Sequence, residues 1–402
     1  MTAGPNPAPI AAVVINPAKP AITRPVRQAI ADALHQAGYS TIWLETSTRE
    51  TGATQARLAV ASGAQLVVAA GGDGTVRSVA AGVAGTDAEM GIMPLGTANL
   101  AARNLGLPLR NHAELARIAA SGRAAPTDLL WVRTEAVGHT GPLQSDGGTD
   151  TPGANAQGPD GGGKTCGDAG PEAAPAQAGS HAADIAEPPQ GWARPTLGGE
   201  HACLVVAGIG FDAGLVASTR PALKERLSWG AYGIAALENL GRRRMDLVLG
   251  IKDATLAAVA QISDDAGFHA RVTPESPPAS SWPVRTERMT ARTLLIANGG
   301  RLPAGITLLP DARLDDGMLD VAAIDTQYGL WGWASLARQV LPPHPATYSQ
   351  GRAAQVLLRR GHEVTVRLDR ATAVEIDGDL VAPTRGIRAR LQAGALRVRR
   401  PA

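Results

Sequence analysis

The chain has 402 residues, 44% of them hydrophobic, and 38 basic against 36 acidic residues leave a formal charge of +2. That length suits two or three domains with sizeable cores, and the charge balance makes no case for a nucleic-acid partner. Two cysteines, Cys166 and Cys203, are too few for a disulfide framework or a zinc site. No run of about 18 apolar residues is present to span a membrane, and the N-terminus lacks the charged and apolar regions of a signal peptide, so a reducing, cytoplasmic location is expected, with peripheral contact at the inner face of a membrane left open.

Residues 10–15 (IAAVVI) are a strand candidate that runs into the Asn16-Pro17 turn signal. Val26, Ile30 and Leu34 recur at four-residue spacing, which predicts a helix over 24–37, ended by Gly38. A short strand over 41–44 and a helix over 54–61 follow. Residues 66–70 (LVVAA) read as a buried parallel strand, and Gly71, Gly72, Asp73, Gly74 and Thr75 follow at once, before a helix over 76–83. Strand, glycine-rich turn and helix N-terminus are the parts of a phosphate cradle, because backbone N–H groups and the helix dipole converge on an anion. Alone, the turn is equally an ordinary tight turn.

Residues 90–93 form the next strand, followed by the second glycine turn, Pro94-Leu95-Gly96-Thr97-Ala98-Asn99. Thr97 and Asn99 there can bind phosphate oxygens or orient a substrate hydroxyl; Asn99 can also simply cap a helix over 100–105. A helix over 114–120 and a strand over 128–132 complete an alternation that implies a doubly wound parallel α/β layer. Ligands of such sheets bind beyond the carboxyl ends of the strands. Asn16, Thr46, the 71–75 turn and Gly96-Thr97 all fall there.

From 138 to 190 the only large aliphatic residues are Leu143 and Ile185, so this segment is expected to be a disordered insertion containing Cys166 and His181 as accidental surface residues. Beyond it come a strand over 203–207, a helical stretch within 223–240, and short strand-like segments at 246–251, 292–297, 319–324, 355–358, 363–368, 373–376, 389–391 and 395–398. Their regular spacing suggests an antiparallel β-sandwich. A polar loop over 264–283 and a helix over 329–340 interrupt them.

Two acidic clusters stand out in this half. Asp311, Asp315, Asp316 and Asp320 surround Gly317, a set that suits a hard cation such as Mg2+ and equally an Asp-Gly hairpin. Asp377 and Asp379 flank Gly378 after a short strand. Two such carboxylates can divide the work of accepting a proton and orienting a partner, or serve only as turn residues.

The GGDGT turn followed by PLGTANLAAR resembles the diacylglycerol kinase catalytic-domain family, which includes bacterial lipid kinases and sphingosine kinases and belongs with the NAD kinases in one superfamily. The likeness continues in order through Gly208-Ile209-Gly210-Phe211-Asp212-Ala213, Ala231-Tyr232, Asn298-Gly299, Pro310-Asp311-Ala312, Asp316-Gly317-Met318-Leu319-Asp320 and Asp377-Gly378-Asp379. The resemblance implies an α/β nucleotide-binding domain over 8–135, the insertion over 138–190, a β-sandwich lipid- and metal-binding domain over 200–386, and a C-terminal segment, 387–402, that is a candidate to return to the first domain. It implies ATP and Mg2+ as cofactors and transfer of the γ-phosphate to a lipid hydroxyl at the membrane surface, with diacylglycerol giving phosphatidic acid; a homodimer is left open.

By resemblance, nucleotide contacts come from Asn16, Thr46, Gly72 to Ser78 and Thr97, and a structural Mg2+ is held at Arg313, Asp316 and Met318, the first and last through backbone carbonyls. The proton acceptor lies at Asp377 and Asp379. Asp379 stands where the family carries glutamate, Arg77-Ser78 where related enzymes usually carry Asn-Glu, and Asn99-Leu100 where Asn-Asp is common. The glycine cluster after Asn298-Gly299 is thinned to Pro303-Ala304-Gly305. Two other readings remain: an NAD kinase with Asp73 as base, although that family's Thr-Gly-Ser-Thr-Ala-Tyr segment is missing, and a non-catalytic lipid- or nucleotide-binding regulator.

Overall fold

Four short apolar runs form the parallel part of the fold: β1 (Ile10–Ile15), β2 (Ser40–Glu45), β3 (Ala64–Gly71) and β4 (Glu89–Pro94), in the spatial order β2-β1-β3-β4. The computed structural model describes residues 7–135, 192–210, 244–252, 284–301, 307, 309–326 and 354–401. The chain divides into two units, Met1–Val137 with Pro188–Ala402, and Gly138–Glu187; every described residue belongs to the first.

Strands β1, β3 and β4 are buried almost throughout, because helices cover both faces of a parallel sheet. α1 (Arg24–Gln36) turns Val26, Ile30 and Leu34 inward, with Pro25 in its first turn where the missing N–H costs no helical bond. The chain steps from β1 outward to β2 through α1, then back to β3 through α2 (Ala53–Ala61) and on to β4 through α3 (Asp73–Val83). Right-handed crossovers in opposite directions place α1 and α2 on opposite faces. α1 packs with α5 (His112–Ser121), and α2 with α3. Between β4 and α5 lies the short α4 (Leu100–Asn104).

The rest is β-structure: β5 (Arg123–Thr134), β6 (His201–Cys203), β7 (Val206–Gly210), β8 (Met245–Lys252), β9 (Val284–Ala291), β10 (Thr293–Ala297), β11 (Leu319–Thr326), β12 (Ala354–Gly361), β13 (Glu363–Ile376) and β14 (Asp379–Arg400). Their pairings are antiparallel, except that β14 runs parallel to β4. β13 changes partner along its length, from β8 to β7, so the sheet folds back on itself as a β-sandwich. Ile209, Met245, Leu249, Leu294, Val364 and Ile387 fill its core, separate from the core between helices and parallel strands. β14 links the two: it pairs with β13 through Asp379–Arg390, and near its end Arg397 and Val398 lie beside Glu89 and Met90 of β4.

Several details depart from the sequence expectations. The 128–132 strand, expected to complete the parallel layer, lies in β5, which pairs antiparallel with β14 and β6. The strand expected over 203–207 is two strands, β6 and β7, broken at Leu204 and Val205. The segments expected at 363–368 and 373–376 are one strand with a register shift between Arg367 and Thr372. Those at 389–391 and 395–398 are one strand, irregular between Gln392 and Leu396, where Gly394 takes a left-handed φ of 58°. The insertion over 138–190 with Cys166 and His181, the stretch 223–240 with Tyr232, the 264–283 loop, the 329–340 helix, Phe211-Asp212-Ala213 and Pro303-Ala304-Gly305 lie outside the described residues. No helix among the described residues is long and apolar enough to cross a membrane.

Candidate active site

The carboxyl ends of β1 to β4 bring the N-terminal candidates to one edge. Asn16 follows β1, and its side chain accepts from the N–H of Ala18 at 3.1 Å. Thr46 follows β2, with its N–H on the carbonyl of Ile15 at 2.8 Å. The two glycine turns follow β3 and β4 and are joined by the Leu95 N–H to the Gly71 carbonyl at 2.7 Å. They touch back to back: a Cβ on Gly96 would lie 2.8 Å from the Cα of Gly72, and a Cβ on Gly71 would collide with the Thr75 side chain. The glycines are needed for close approach. Lys19, which sequence reasoning missed, extends its side chain to the same turn, its Nζ 4.0 Å from where a Gly72 Cβ would stand. The Asn16-Pro17 turn signal was its only trace in the sequence.

α3 begins at Asp73, within the glycine motif, three residues before the expected start. Its first-turn N–H groups have no intrahelical partners and carry the positive end of the helix dipole. The Asp73 carboxylate does not project into this cradle alone: it accepts from the N–H groups of Asn99 at 2.8 Å and Leu100 at 2.6 Å. Asp73 therefore caps α4. Asn99, the expected cap, makes no side-chain capping bond; it sits at a left-handed φ of 49° and binds the N–H and carbonyl of Gly96, both at 2.9 Å. Thr97 is exposed beside it. Burial, with the neighbouring charge of Asp377, pushes the Asp73 carboxyl up to about 6.

The C-terminal acidic pair divides sharply. Asp377 is 4% exposed, at a left-handed φ of 47°. Its carboxylate accepts from the N–H groups of Leu204, Val205 and Val206 at 2.7 to 3.1 Å, and from the Cys203 thiol at 3.6 Å. These three N–H groups turn toward Asp377 instead of a neighbouring strand, which is why β6 and β7 are separate. Burial raises the Asp377 carboxyl above the ordinary carboxylate range, against the pull of Arg77 and the three N–H groups, and drives the Cys203 thiol well up.

Asp379, at the start of β14, is 47% exposed at its side chain and stands over the cradle: its Oδ2 would be 3.1 Å from a Cβ on Gly74. The same oxygen accepts from Nη2 of Arg77 on α3 at 2.8 Å. Arg77, 6% exposed at its side chain, also donates to the Ile376 carbonyl, so one guanidinium ties α3 to the β13–β14 turn. Burial works against its charge, but Asp379 and Asp377 hold its pKa above the usual range. Ser78, next in sequence, shares a hydrogen bond with Thr51 at 2.8 Å.

The residues at 313–318 form another cluster. Asp128 on β5 accepts from the N–H groups of Gly317 at 2.8 Å and Gly394 at 2.7 Å. Asp316 accepts from the Met318 N–H at 3.1 Å and is ion-paired with Arg360. Arg313 pairs with Asp315 at 3.3 Å. Of the expected Mg2+ set, Asp316 is the one side-chain ligand, and a guanidinium holds its carboxylate in this structure. Among the described residues, no cluster of three or more His, Cys, Asp or Glu side chains is arranged to hold a metal.

The chain thus combines a parallel α/β layer carrying two apposed glycine turns with a β-sandwich, joined to it through β14, that sets a carboxylate over them. The family descriptions agree: residues 11–132 match the diacylglycerol kinase catalytic domain, and residues 203–400 match the YegS C-terminal NAD kinase beta sandwich-like domain. By these two matches the chain carries a diacylglycerol kinase catalytic domain and a YegS-type C-terminal domain. It is 48% identical over 75 residues to "Probable lipid kinase YegS-like" of Cronobacter sakazakii, covering 17% of this chain and 24% of that protein. It is 44% identical over 71 residues to "Diacylglycerol kinase" of Mycobacterium tuberculosis, covering 18% and 23%. These matched stretches span about a quarter of the length of the relatives. A solved diacylglycerol kinase from Bacillus anthracis superposes over 98% of both chains with a TM-score of 0.60 at 15% identity, a likeness of fold.

Proposed function

We propose that this chain is an ATP-dependent lipid kinase that phosphorylates a lipid hydroxyl, with diacylglycerol the acceptor and phosphatidic acid the product. The observation that carries the reading is Asp379: a half-exposed carboxylate, from the far end of the sequence, set against Gly74 of the phosphate cradle. The names of the relatives support the substrate class.

In this reading the first-turn N–H groups of α3 and the Lys19 amine receive the phosphates of ATP, which arrives with its own Mg2+ as counter-ion. Asn16, Thr46 and Thr97 line the nucleotide edge. Arg77 engages Oδ2 of Asp379 and thereby aims the carboxylate across the cradle. The lipid hydroxyl oxygen attacks the γ-phosphorus, its proton passes to Asp379, the new P–O bond forms and the bond to ADP breaks. Positioning and charge stabilisation supply most of the acceleration in such transfers. Asp377 acts indirectly, by fixing the backbone from which Asp379 projects. The lipid reaches the site from a membrane surface against which the chain docks peripherally.

The NAD kinase reading needs Asp73 as a base directed at the substrate, whereas its two oxygens are turned to the N–H groups of Asn99 and Leu100. Incubation with γ-labelled ATP and, in parallel, diacylglycerol, a panel of other lipids and NAD tests the proposal. Label in phosphatidic acid is expected; label in NAD alone, or in nothing while ATP still binds, contradicts it.

A further inference from the structure

The 309–320 turn gathers Asp311, Asp315, Asp316 and Asp320, the acidic set that invites a divalent cation. Three of the four are already paired with arginine. Asp315 meets Arg313 at 3.3 Å and Arg400 at 3.1 Å. Arg360 serves the other two: its Nε lies 2.9 Å from Oδ1 of Asp320, and its Nη2 bonds Oδ2 of Asp316 and approaches Oδ2 of Asp320 at 3.4 Å. We infer that the Arg360 guanidinium replaces a structural metal ion in this turn, bridging Asp316 and Asp320 so that the fold needs no divalent cation there.

Backbone register builds this arrangement. Arg360 on β12 is directly opposite Asp320 on β11, so strand pairing delivers the guanidinium to the carboxylate. Its planar fork then spans two acceptors, which a lysine ammonium could not match. Four carboxylates face the three guanidiniums of Arg313, Arg360 and Arg400, close to neutrality without a metal. Access is not what excludes a cation. A cavity of about 290 Å³ borders Asp311, Asp320 and Arg360, and the Arg360 side chain is 42% exposed; the position between the carboxylates is filled. The rest of the turn is pinned by backbone groups, the Gly317 N–H on Asp128 and the Asp128 N–H on the Leu314 carbonyl at 2.7 Å. The inference concerns folding alone and stands or falls independently of the lipid-kinase reading.

Thermal unfolding of the nucleotide-free full chain tests it, in chelator and in millimolar Mg2+, for the wild type, Arg360→Gln and Asp316→Asn. The wild type is expected to melt at the same temperature in both buffers. Arg360→Gln is expected to melt several degrees lower in chelator, with part of the loss recovered in Mg2+, because Asp316 and Asp320 then lack a counter-charge. An unchanged melting temperature for Arg360→Gln in chelator overturns the inference. So does a wild type whose melting temperature falls on chelation while that of Asp316→Asn does not. Should Arg360→Gln fail to fold, calorimetric titration of Mg2+ into the other two decides: no binding to the wild type is expected, and a site lost in Asp316→Asn contradicts the inference.

Discussion

Two carboxylates, Asp377 and Asp379, face the buried guanidinium of Arg77, a third, Asp73, lies within range of both aspartates, and burial separates the roles of the three. Asp73 shows this in its titration. Burial first, then the charges of Asp377 and Asp379, lift its pKa from 3.8 to about 6, against the two N–H groups it accepts from. Folding therefore favours its protonated form. That stabilisation is complete below the unfolded value and is lost as pH rises through about 6; at 1.36 kcal/mol per unit it amounts to about 3 kcal/mol. Denaturant titrations of the wild type and Asp73→Asn should show the stability difference moving against the wild type by this order between about pH 4 and 7; a difference that does not change with pH contradicts the assignment. Arg77 has a different signature. Arg77→Met leaves buried Asp377 without its nearby cation and removes the bonds to Ile376 and Asp379, so a loss of about 3 kcal/mol is expected. Urea unfolding measures it. Arg77→Lys should recover part of the loss, since it keeps the charge without the two-pronged reach.

At the scale of elements, the cradle is two turns held in register by their glycines. Gly96→Ala would press a methyl to 2.8 Å from the Gly72 Cα and 3.0 Å from Oδ1 of Asn99. Overpacking of this kind costs about 1–3 kcal/mol. Parting the turns should also weaken ATP binding about tenfold, the equivalent of about 1.4 kcal/mol, as read by nucleotide titration; binding as tight as the wild type would show that the contact is not needed. Much of this layer was legible in the sequence, because fully buried parallel strands such as β3 leave continuous apolar runs and α1 leaves a plain four-residue period. β9 was not: its sequence, VRTERMTA, is polar and mostly exposed, so no apolar run marked it. The β6–β7 break was illegible for another reason, since its cause, Asp377, lies more than 170 residues away. The same holds for Asp73, whose carboxylate looks like a ligand for phosphate-bound metal until the fold sets it under the N-terminus of α4. Arg360 carried no signal at all, because only strand register brings it to Asp320.

Over the whole molecule, β14 is the element that joins the two halves at the proposed site. It starts at Asp379 over the cradle, runs through the sandwich and ends alongside β4, where Arg399 meets Glu89 at 2.7 Å and Tyr39 at 2.7 Å. Arg77, reaching from α3, fixes the other end of the same strand. A carboxylate so anchored can meet a substrate above the glycine turns only if both halves fold together, and the proposed chemistry depends on that meeting. The most direct test is phosphoryl transfer from γ-labelled ATP to diacylglycerol by the wild type and by Asp379→Asn. The amide still accepts from Arg77 but no longer takes up a proton. The account predicts a fall in kcat of about 10²–10⁴ with ATP affinity nearly unchanged in a chain that still folds; equal turnover by the two proteins would contradict it.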